Sequence, residues 1–281
     1  MEKVGVVGCG LMGSGIAEVS ARAGLDVVVV ETGRAAIDAG RERLTASLER
    51  AERKGKVADA AAVLDRITLT GSLEDLADRD LVVEAIVEDE AAKVALFRRL
   101  DDVVVSPEAL LASNTSSIPI MKIATATKRP THVLGIHFFN PVPVLPLVEL
   151  VPSLLTLDET TDRAAEFVGT ALGKHAIRSK DRAGFVVNAL LIPFILAAIR
   201  MLESGFAERD DIDEGLVRGA AHPQGPLALA DLIGLDTTRA VAESLYEEFK
   251  EPLYAPPPLL NRMVDAGLLG RKTGRGFYTY A

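Results

Sequence analysis

The chain has 281 residues, with 31 lysines and arginines against 40 aspartates and glutamates, which gives a formal net charge of −9. A length of this order corresponds to one large domain or two ordinary ones. The acidic balance argues against a nucleic-acid-binding protein, which needs a basic surface, and the ordinary hydrophobic content of 48% excludes extended disorder.

Cysteine content and apolar stretches bear on the compartment. The only cysteine is Cys9, so an intrachain disulfide is excluded. The first residues have neither the basic nor the apolar region of a secretory signal. The most apolar stretch, 185–199, contains Asn188 and Pro193 and falls short of the roughly 20 residues of a membrane span. We therefore predict a cytoplasmic protein that does not cross a membrane.

The first two thirds of the chain alternate apolar runs with helical patterns. Near-continuous apolar runs are typical of parallel strands that are covered on both faces. They predict strands at 4–7, 25–30, 67–69, 81–83, 110–112, 133–137 and 147–151. Helical stretches, such as 13–23 and 35–54, lie between them. This alternation predicts an α/β protein with a doubly wound, mostly parallel sheet.

The pattern changes after residue 181, where helical periods follow one another. They predict helices at 185–204, 209–218, 226–233 and 236–249, the last one capped by Asp236, and a short strand at 277–280. We place a boundary within 181–184 and predict two domains, 1–182 and 183–281, the second of them all-helical.

A glycine-rich turn directly follows the first predicted strand. It fits the pattern G-x-G-x-x-G and consists of Gly8, Cys9, Gly10, Leu11, Met12 and Gly13. In a strand–turn–helix unit these glycines allow a tight turn, the approach of a pyrophosphate and close helix packing. The alternative is a structural turn without a ligand. For Cys9 we expect a small residue in a crowded turn rather than a redox role.

The next strand ends in an acidic residue, Glu31, twenty-three positions after Gly8. An acid at this point can bond both ribose hydroxyls of an adenosine and repel a 2′-phosphate. We therefore predict a Rossmann-type domain that binds NAD, although Arg34 nearby leaves NADP open. No metal site is predicted.

Polar residues at the ends of later strands are further candidates. The segment 112–117, which includes Ser116, follows a strand and either faces a ligand or caps the next helix.

His137 precedes a proline-rich turn at 141–146. A hairpin at this turn would bring Glu149 beside His137, where its carboxylate could orient the histidine as a general base. A buried histidine and an edge glutamate without catalytic roles are an equal alternative. Asn188, in an apolar helix, needs a partner, which is either a substrate oxygen or a neighbouring backbone group.

Several motifs are long and distinctive. They lie at 8–13, 82–88, 112–117, 137–143, 171–174, 184–188, 234–238 and 270–278, with Asp181 between them. Together they resemble the short-chain L-3-hydroxyacyl-CoA dehydrogenase family over essentially the whole chain. The resemblance implies an oxidoreductase that interconverts (S)-3-hydroxyacyl-CoA and 3-ketoacyl-CoA with NAD. We expect the helical domain 183–281 to bind the substrate.

The resemblance also implies roles for matching residues. His137 would be the catalytic base and Glu149 would orient it, while Ser116 and Asn188 would bind the substrate. Ser116 would also lie near the nicotinamide. Further cofactor contacts would come from Glu31, Glu88, Lys93, Asn140 and Lys272. Contacts with coenzyme A would come from Ser47 and Lys54.

One further feature of the sequence bears on the substrate. The predicted helix 35–54 and the residues after it are rich in cations, which suit the phosphates of CoA: Arg41, Arg43, Arg50, Arg53, Lys54 and Lys56. A solvated helix with internal ion pairs is the alternative, since acidic residues are interleaved.

Two alternative functions stay open: a dehydrogenase of a free hydroxy acid, and a non-catalytic nucleotide-binding module. The apolar segment 185–201 predicts a homodimer.

Overall fold

The computed structural model describes residues 1–280 and divides into two compact units. The first covers Met1–Asp181, and the second begins at Arg182. Across residues 1–280, the helices are too short or too polar to cross a membrane.

The first unit is built on one eight-stranded sheet. Its strands are β1 (Lys3–Val7), β2 (Asp26–Val30), β3 (Ile67–Thr70), β4 (Leu81–Glu84), β5 (Leu110–Ser113), β6 (Val133–Phe138), β7 (Leu147–Pro152) and β8 (His175–Arg178). The order across the sheet is β3-β2-β1-β4-β5-β6-β7-β8. All neighbours are parallel except β6 and β7, which are antiparallel. The predicted doubly wound, mostly parallel sheet is confirmed.

Helices connect the strands and cover the sheet. They are α1 (Leu11–Arg22), α2 (Arg34–Arg53), α3 (Ala60–Leu64), α4 (Glu90–Val103), α5 (Ile120–Ala124) and α6 (Asp158–Glu166). The central strands are buried along most of their length; Val6, Val83 and Ile136, for example, are fully buried. Burial on both faces explains why these strands are continuous apolar runs.

The seven predicted strands all form, but β8 was not predicted. Its sequence, HAIR, has only two apolar residues, and all four side chains are at least partly exposed. The signal for a buried strand is therefore missing, and β8 forms because it pairs with β7 at the edge of the sheet.

The second unit is helical. Its helices are α7 (Val187–Glu203), α8 (Arg209–Gly219), α9 (Pro226–Ile233), α10 (Leu235–Phe249) and α11 (Pro258–Asp265). Its core contains Ile195 and Leu196 of α7, packed in one cluster with Leu227 and Leu245. Pro193 lies inside α7 without ending it.

Two predictions about the second unit are wrong. The segment 277–280 is not a strand, because it makes only an isolated bridge between Arg275 and Thr279. Its amides are instead bound by a side chain: Asp231 accepts hydrogen bonds from the backbone N–H groups of residues 277 and 278. Asp236 does not cap α10 either, because the helix begins one residue earlier, after Gly234.

Candidate active site

The glycine-rich turn lies between β1 and α1. Gly8 has φ of 94°, and a Cβ there would lie 2.6 Å from the carbonyl oxygen of Ala85. A Cβ on Gly13 would lie 1.8 Å from the carbonyl oxygen of Gly8, so close packing of α1 requires glycine. At Gly10, by contrast, a Cβ would meet no atom within 4 Å. The turn thus leaves open space at the N-terminus of α1, where backbone N–H groups favour a phosphate.

Glu31, the residue directly after β2, lies against this turn. Its Oε2 accepts a hydrogen bond from the Cys9 N–H (2.7 Å), and its Oε1 accepts one from the Thr32 N–H (2.7 Å). Arg34, the residue that left NADP open, binds the Asp38 carboxylate on α2 instead (3.0 Å). A carboxylate beside the glycine-rich turn can accept hydrogen bonds from both free hydroxyls of an adenosine ribose, so these residues fit NAD.

Helix α2 also contacts the turn. The guanidinium of Arg43 donates a hydrogen bond to the Cys9 carbonyl oxygen (2.6 Å). A Cβ on Gly40 would lie 2.6 Å from the Cys9 sulfur, so α2 packs directly on this residue. Burial, together with the Glu31 carboxylate, raises the pKa of the Cys9 thiol to about 11, against a smaller opposite effect of Arg43. The thiol is therefore neutral near pH 7, which agrees with a packing role.

A second polar cluster lies where β4 and β5 end. Lys93, on α4, is 1% exposed and forms ion pairs with Glu84 and with Glu88 (3.2 Å). One oxygen of Glu88 accepts hydrogen bonds from the Thr115 hydroxyl (2.6 Å) and the Ser116 N–H (3.0 Å). The structure thus brings together the predicted residues Glu88, Lys93 and Ser116.

The charge of Glu88 is stabilised in this cluster. Burial by itself raises the pKa of this carboxyl, but the Lys93 ammonium and the hydrogen bonds from residues 115–117 outweigh that effect and lower it below its usual value. Glu88 is therefore ionised near neutral pH.

The third group is the pair His137 and Glu149 on β6 and β7. The two residues are register partners in the antiparallel pair. His137 Nδ1 donates a hydrogen bond to Glu149 Oε2 (2.8 Å), since a carboxylate can only accept, and the two residues are 6% and 0% exposed. The ring of Phe139 packs on the imidazole with centroids 4.6 Å apart. The hairpin predicted from the proline-rich turn therefore forms and makes the expected contact.

Lys174 stabilises the turn that joins β6 to β7. Its ammonium donates hydrogen bonds to the carbonyl oxygens of Val142 and Leu145, both at 2.7 Å. Burial and the nearby Arg22 lower the pKa of Lys174. Asn140, a predicted cofactor contact, is exposed at the start of this turn.

Three structural residues of this region were not predicted: Glu84, Asn114 and Lys174. Asn114 Oδ1 accepts a hydrogen bond from the N–H of Phe138, directly after His137 (2.9 Å). For Glu84 a signal was available, since it is a carboxylate at the end of the apolar run LVV, like Glu149 within its own strand. Asn114 lies in the polar segment 112–117 that the sequence analysis singled out, but no local signal indicated the contact it makes. The same holds for Lys174, because the partners of both residues lie far along the chain.

The predicted CoA contacts lie on α2 and at its end. Ser47 is half-buried, and Lys54, the residue after the helix, is exposed. Seven positions, about two helical turns, separate them, so they lie on the same side of the helix. Of the six cations in this region, Arg43 is bound to the Cys9 carbonyl and Arg53 is within 3.8 Å of Glu49. The patch is thus partly occupied by contacts within the protein.

Two predicted residues belong to the second unit. Asn188 is the second residue of α7 and is half-buried. The Lys272 ammonium donates a hydrogen bond to the Asp236 carboxylate (2.6 Å). Burial opposes the charge of Asp236, but this bond and other contacts lower its pKa overall.

Comparison with known families covers nearly all of the chain. Residues 3–182 match the 3-hydroxyacyl-CoA dehydrogenase NAD-binding domain, and residues 184–280 match the C-terminal domain of the same family. The chain therefore belongs to the 3-hydroxyacyl-CoA dehydrogenase family, which makes it an NAD-dependent oxidoreductase and confirms the resemblance seen in its motifs.

Individual relatives agree with this family. The chain is 60% identical to a 3-hydroxybutyryl-CoA dehydrogenase of Mycobacterium tuberculosis, over 100% of this chain and 99% of the relative. It is 40% identical to the human mitochondrial hydroxyacyl-coenzyme A dehydrogenase, over 100% of this chain and 91% of the relative. The crystal structure of (S)-3-hydroxybutyryl-CoA dehydrogenase from Ralstonia eutropha superposes with a TM-score of 0.93 at 47% identity, covering 100% of this chain and 99% of the other.

Proposed function

We propose that the protein interconverts (S)-3-hydroxybutyryl-CoA and acetoacetyl-CoA, with NAD as the hydride acceptor or, as NADH, the donor. The observation that carries this proposal is the buried hydrogen bond between His137 and Glu149. The same unit contains the glycine-rich turn with Glu31 beside it. The names of the relatives support the choice of a four-carbon acyl group.

The proton is handled by His137. Because Nδ1 donates to Glu149, Nε2 is the ring nitrogen that accepts the proton of the substrate 3-hydroxyl group. The Glu149 carboxylate orients the ring and stabilises the imidazolium that forms. In the reverse direction, the protonated imidazole returns the proton to the 3-oxygen. NAD, when bound, supplies the chemistry of hydride acceptance.

Ser116 and Asn188 are proposed to bind the substrate. A hydroxyl and an amide can donate hydrogen bonds to the oxygen on which charge develops, which favours the transition state over the ground state. The backbone N–H (3.0 Å) and the hydroxyl (3.4 Å) of Ser116 both donate hydrogen bonds to Glu88, which fixes the position of this serine.

The cofactor is proposed to lie along the carboxyl ends of the first strands. Glu31 would bind the adenosine ribose, and Gly10 would let the pyrophosphate approach the N-terminus of α1. Glu88, Asn140 and Lys272 are proposed further contacts. Lys93 is buried, so we propose that it acts by holding Glu88 rather than by touching the ligand.

Coenzyme A is proposed to bind along α2. Ser47 and the exposed cation Lys54 provide a hydroxyl and a positive charge for its phosphates. Two of the six cations of this region are engaged within the protein, Arg43 by the Cys9 carbonyl and Arg53 by Glu49. The proposed contact is therefore a local cationic surface on a protein whose net charge is −9. We further propose a cytoplasmic location, with which the single buried cysteine is consistent.

The test of the proposed function is NADH oxidation with acetoacetyl-CoA and, separately, with free acetoacetate. We expect turnover of the thioester and little of the free acid, because only the thioester carries the CoA group that α2 would bind. A protein that reduced only the free acid would be a hydroxy-acid dehydrogenase, and one that bound NADH without turning over either would be a nucleotide-binding module. Either outcome contradicts the proposal.

Replacement of the base tests the role of His137. We expect His137→Gln to lower kcat for acetoacetyl-CoA reduction by about 100-fold or more, the usual size of an acid–base contribution, with little change in the NADH Kd. His132→Gln is the matched control, because this histidine is also in the first unit but precedes β6. Full activity of His137→Gln would show that another group is the base.

Cofactor choice depends on Glu31. We expect Glu31→Ala to weaken NADH binding by about tenfold or more, since hydrogen bonds to a charged group contribute about 1.5–3 kcal/mol. NADPH binding should weaken less, because the repulsion of its 2′-phosphate is removed at the same time. Fluorescence titration measures both constants, with Glu42→Ala, an exposed acid of α2, as the control. An equal loss for both cofactors would contradict the ribose contact.

The second unit is proposed to mediate a homodimer. On α7, Leu190 is 73% and Met201 is 41% exposed, an apolar surface that a second copy would cover. Light scattering at micromolar concentration should give twice the 29.9 kDa chain mass. Leu190→Glu should shift the mass to that of a monomer, whereas Leu154→Glu, at a 94% exposed leucine of the first unit, should leave the dimer intact. A monomeric unmodified protein would refute the proposal.

A further inference from the structure

Glu84 is a buried carboxylate to which the proposed mechanism gives no role. It is the last residue of β4 and is 0% exposed. Its Oε1 accepts hydrogen bonds from the Ile86 N–H (2.8 Å) and from the Lys93 ammonium, and its Oε2 accepts one from the Ser113 hydroxyl (2.6 Å). A buried charge is tolerated only with such compensation, so this site requires a carboxylate together with Lys93.

One branch of contacts runs from Glu84 to β5 and β6. The Ser113 hydroxyl, which donates to Glu84, accepts a hydrogen bond from the Thr115 N–H (3.1 Å). The carbonyl oxygen of Glu84 accepts one from the Asn114 N–H (2.9 Å). Asn114 in turn accepts one from the N–H of Phe138. This branch connects the ends of three adjacent strands, one of which carries His137.

The other branch runs through the buried ammonium. Lys93 bridges Glu84 and Glu88, and Glu88 accepts hydrogen bonds from the N–H groups of Ser116 (3.0 Å) and Ser117 (3.2 Å). The segment 115–117 is therefore held at its beginning through Ser113 and further along through Glu88. Both connections converge on the carboxylate of Glu84.

We propose that Glu84 is a positioning residue that holds the segment carrying Ser116 in register with His137. The inference rests on the proposed function of those two residues. Glu84 does not touch the substrate; it acts through Ser113 on one side and through Lys93 and Glu88 on the other. Supporting side chains of this kind determine how reproducibly a catalytic group is placed.

The experiment measures the single-turnover rate of acetoacetyl-CoA reduction at saturating NADH, divided by the number of NADH-binding sites. Normalisation by binding sites removes the effect of protein that has failed to fold. We expect Glu84→Gln, which keeps the shape but removes the charge, to lower this rate by about tenfold to 100-fold, the size expected for a misplaced catalytic group.

Asp101→Asn is the matched control. Asp101 is a buried carboxylate of the same unit, paired with Arg129 (2.7 Å), and it makes no hydrogen bond with residues 113–117. Its replacement disturbs a comparable ion pair, so it reports the purely structural effect of such a loss. We expect its rate per site to equal that of the unmodified protein.

Ser113→Ala provides a second variant, since Glu84→Gln leaves Lys93 with one carboxylate and could fail to fold. It removes the connection between Glu84 and the Thr115 N–H without changing any charge, and we expect a lower rate per site. The proposal is overturned if the folded variants have the same rate per site as Asp101→Asn, or if they change only the NADH Kd. Absence of turnover in the unmodified protein would instead contradict the proposed function.

Discussion

The hydrogen bond between His137 and Glu149 depends on a single exception to the parallel sheet. Because β7 runs antiparallel to β6, it returns directly beside the strand that it follows, and the two residues become register partners. In a parallel arrangement a long crossover would separate them. The turn between them is closed by proline residues and by Lys174, whose ammonium binds two of its carbonyl oxygens. The geometry of the proposed base is thus a property of the backbone topology.

The other polar groups of the proposed site lie at the carboxyl ends of the parallel strands. Parallel strands end on the same side, so Glu31 after β2, Glu84 at the end of β4 and Ser113 at the end of β5 lie along the carboxyl edge of the sheet. Each buried carboxylate there is matched with donors: Glu84 with Lys93, Glu149 with His137. Full compensation of this kind makes a buried polar network rigid, which suits a site that must hold a cofactor and a substrate in fixed positions.

Much of this was predictable because it rests on local patterns. The seven predicted strands have apolar sequences. The glycine-rich turn requires glycine at position 8, where φ is 94°, and at position 13, where a Cβ would lie 1.8 Å from the Gly8 carbonyl oxygen. The His137–Glu149 contact was predictable because only one turn separates the two strands. β8 was missed because its edge position leaves it with few buried apolar side chains. The strand expected at 277–280 does not form, because Asp231 binds its amides.

The role of Arg43 illustrates the limit of local reasoning. In the sequence it is one of six cations near α2, whereas in the structure it binds the Cys9 carbonyl, 34 positions earlier. In the same way, only the fold shows that Glu84 joins Lys93, Ser113 and, through its backbone, Asn114.

The sequence by itself determined the class of fold, the glycine-rich turn and the family, because these depend on periodicity and on motifs that are contiguous in the chain. The tertiary structure decided which charges neutralise one another and which side chains hold the proposed catalytic groups. Those pairings join residues on different strands and helices, and strand order and helix packing bring them within hydrogen-bond distance.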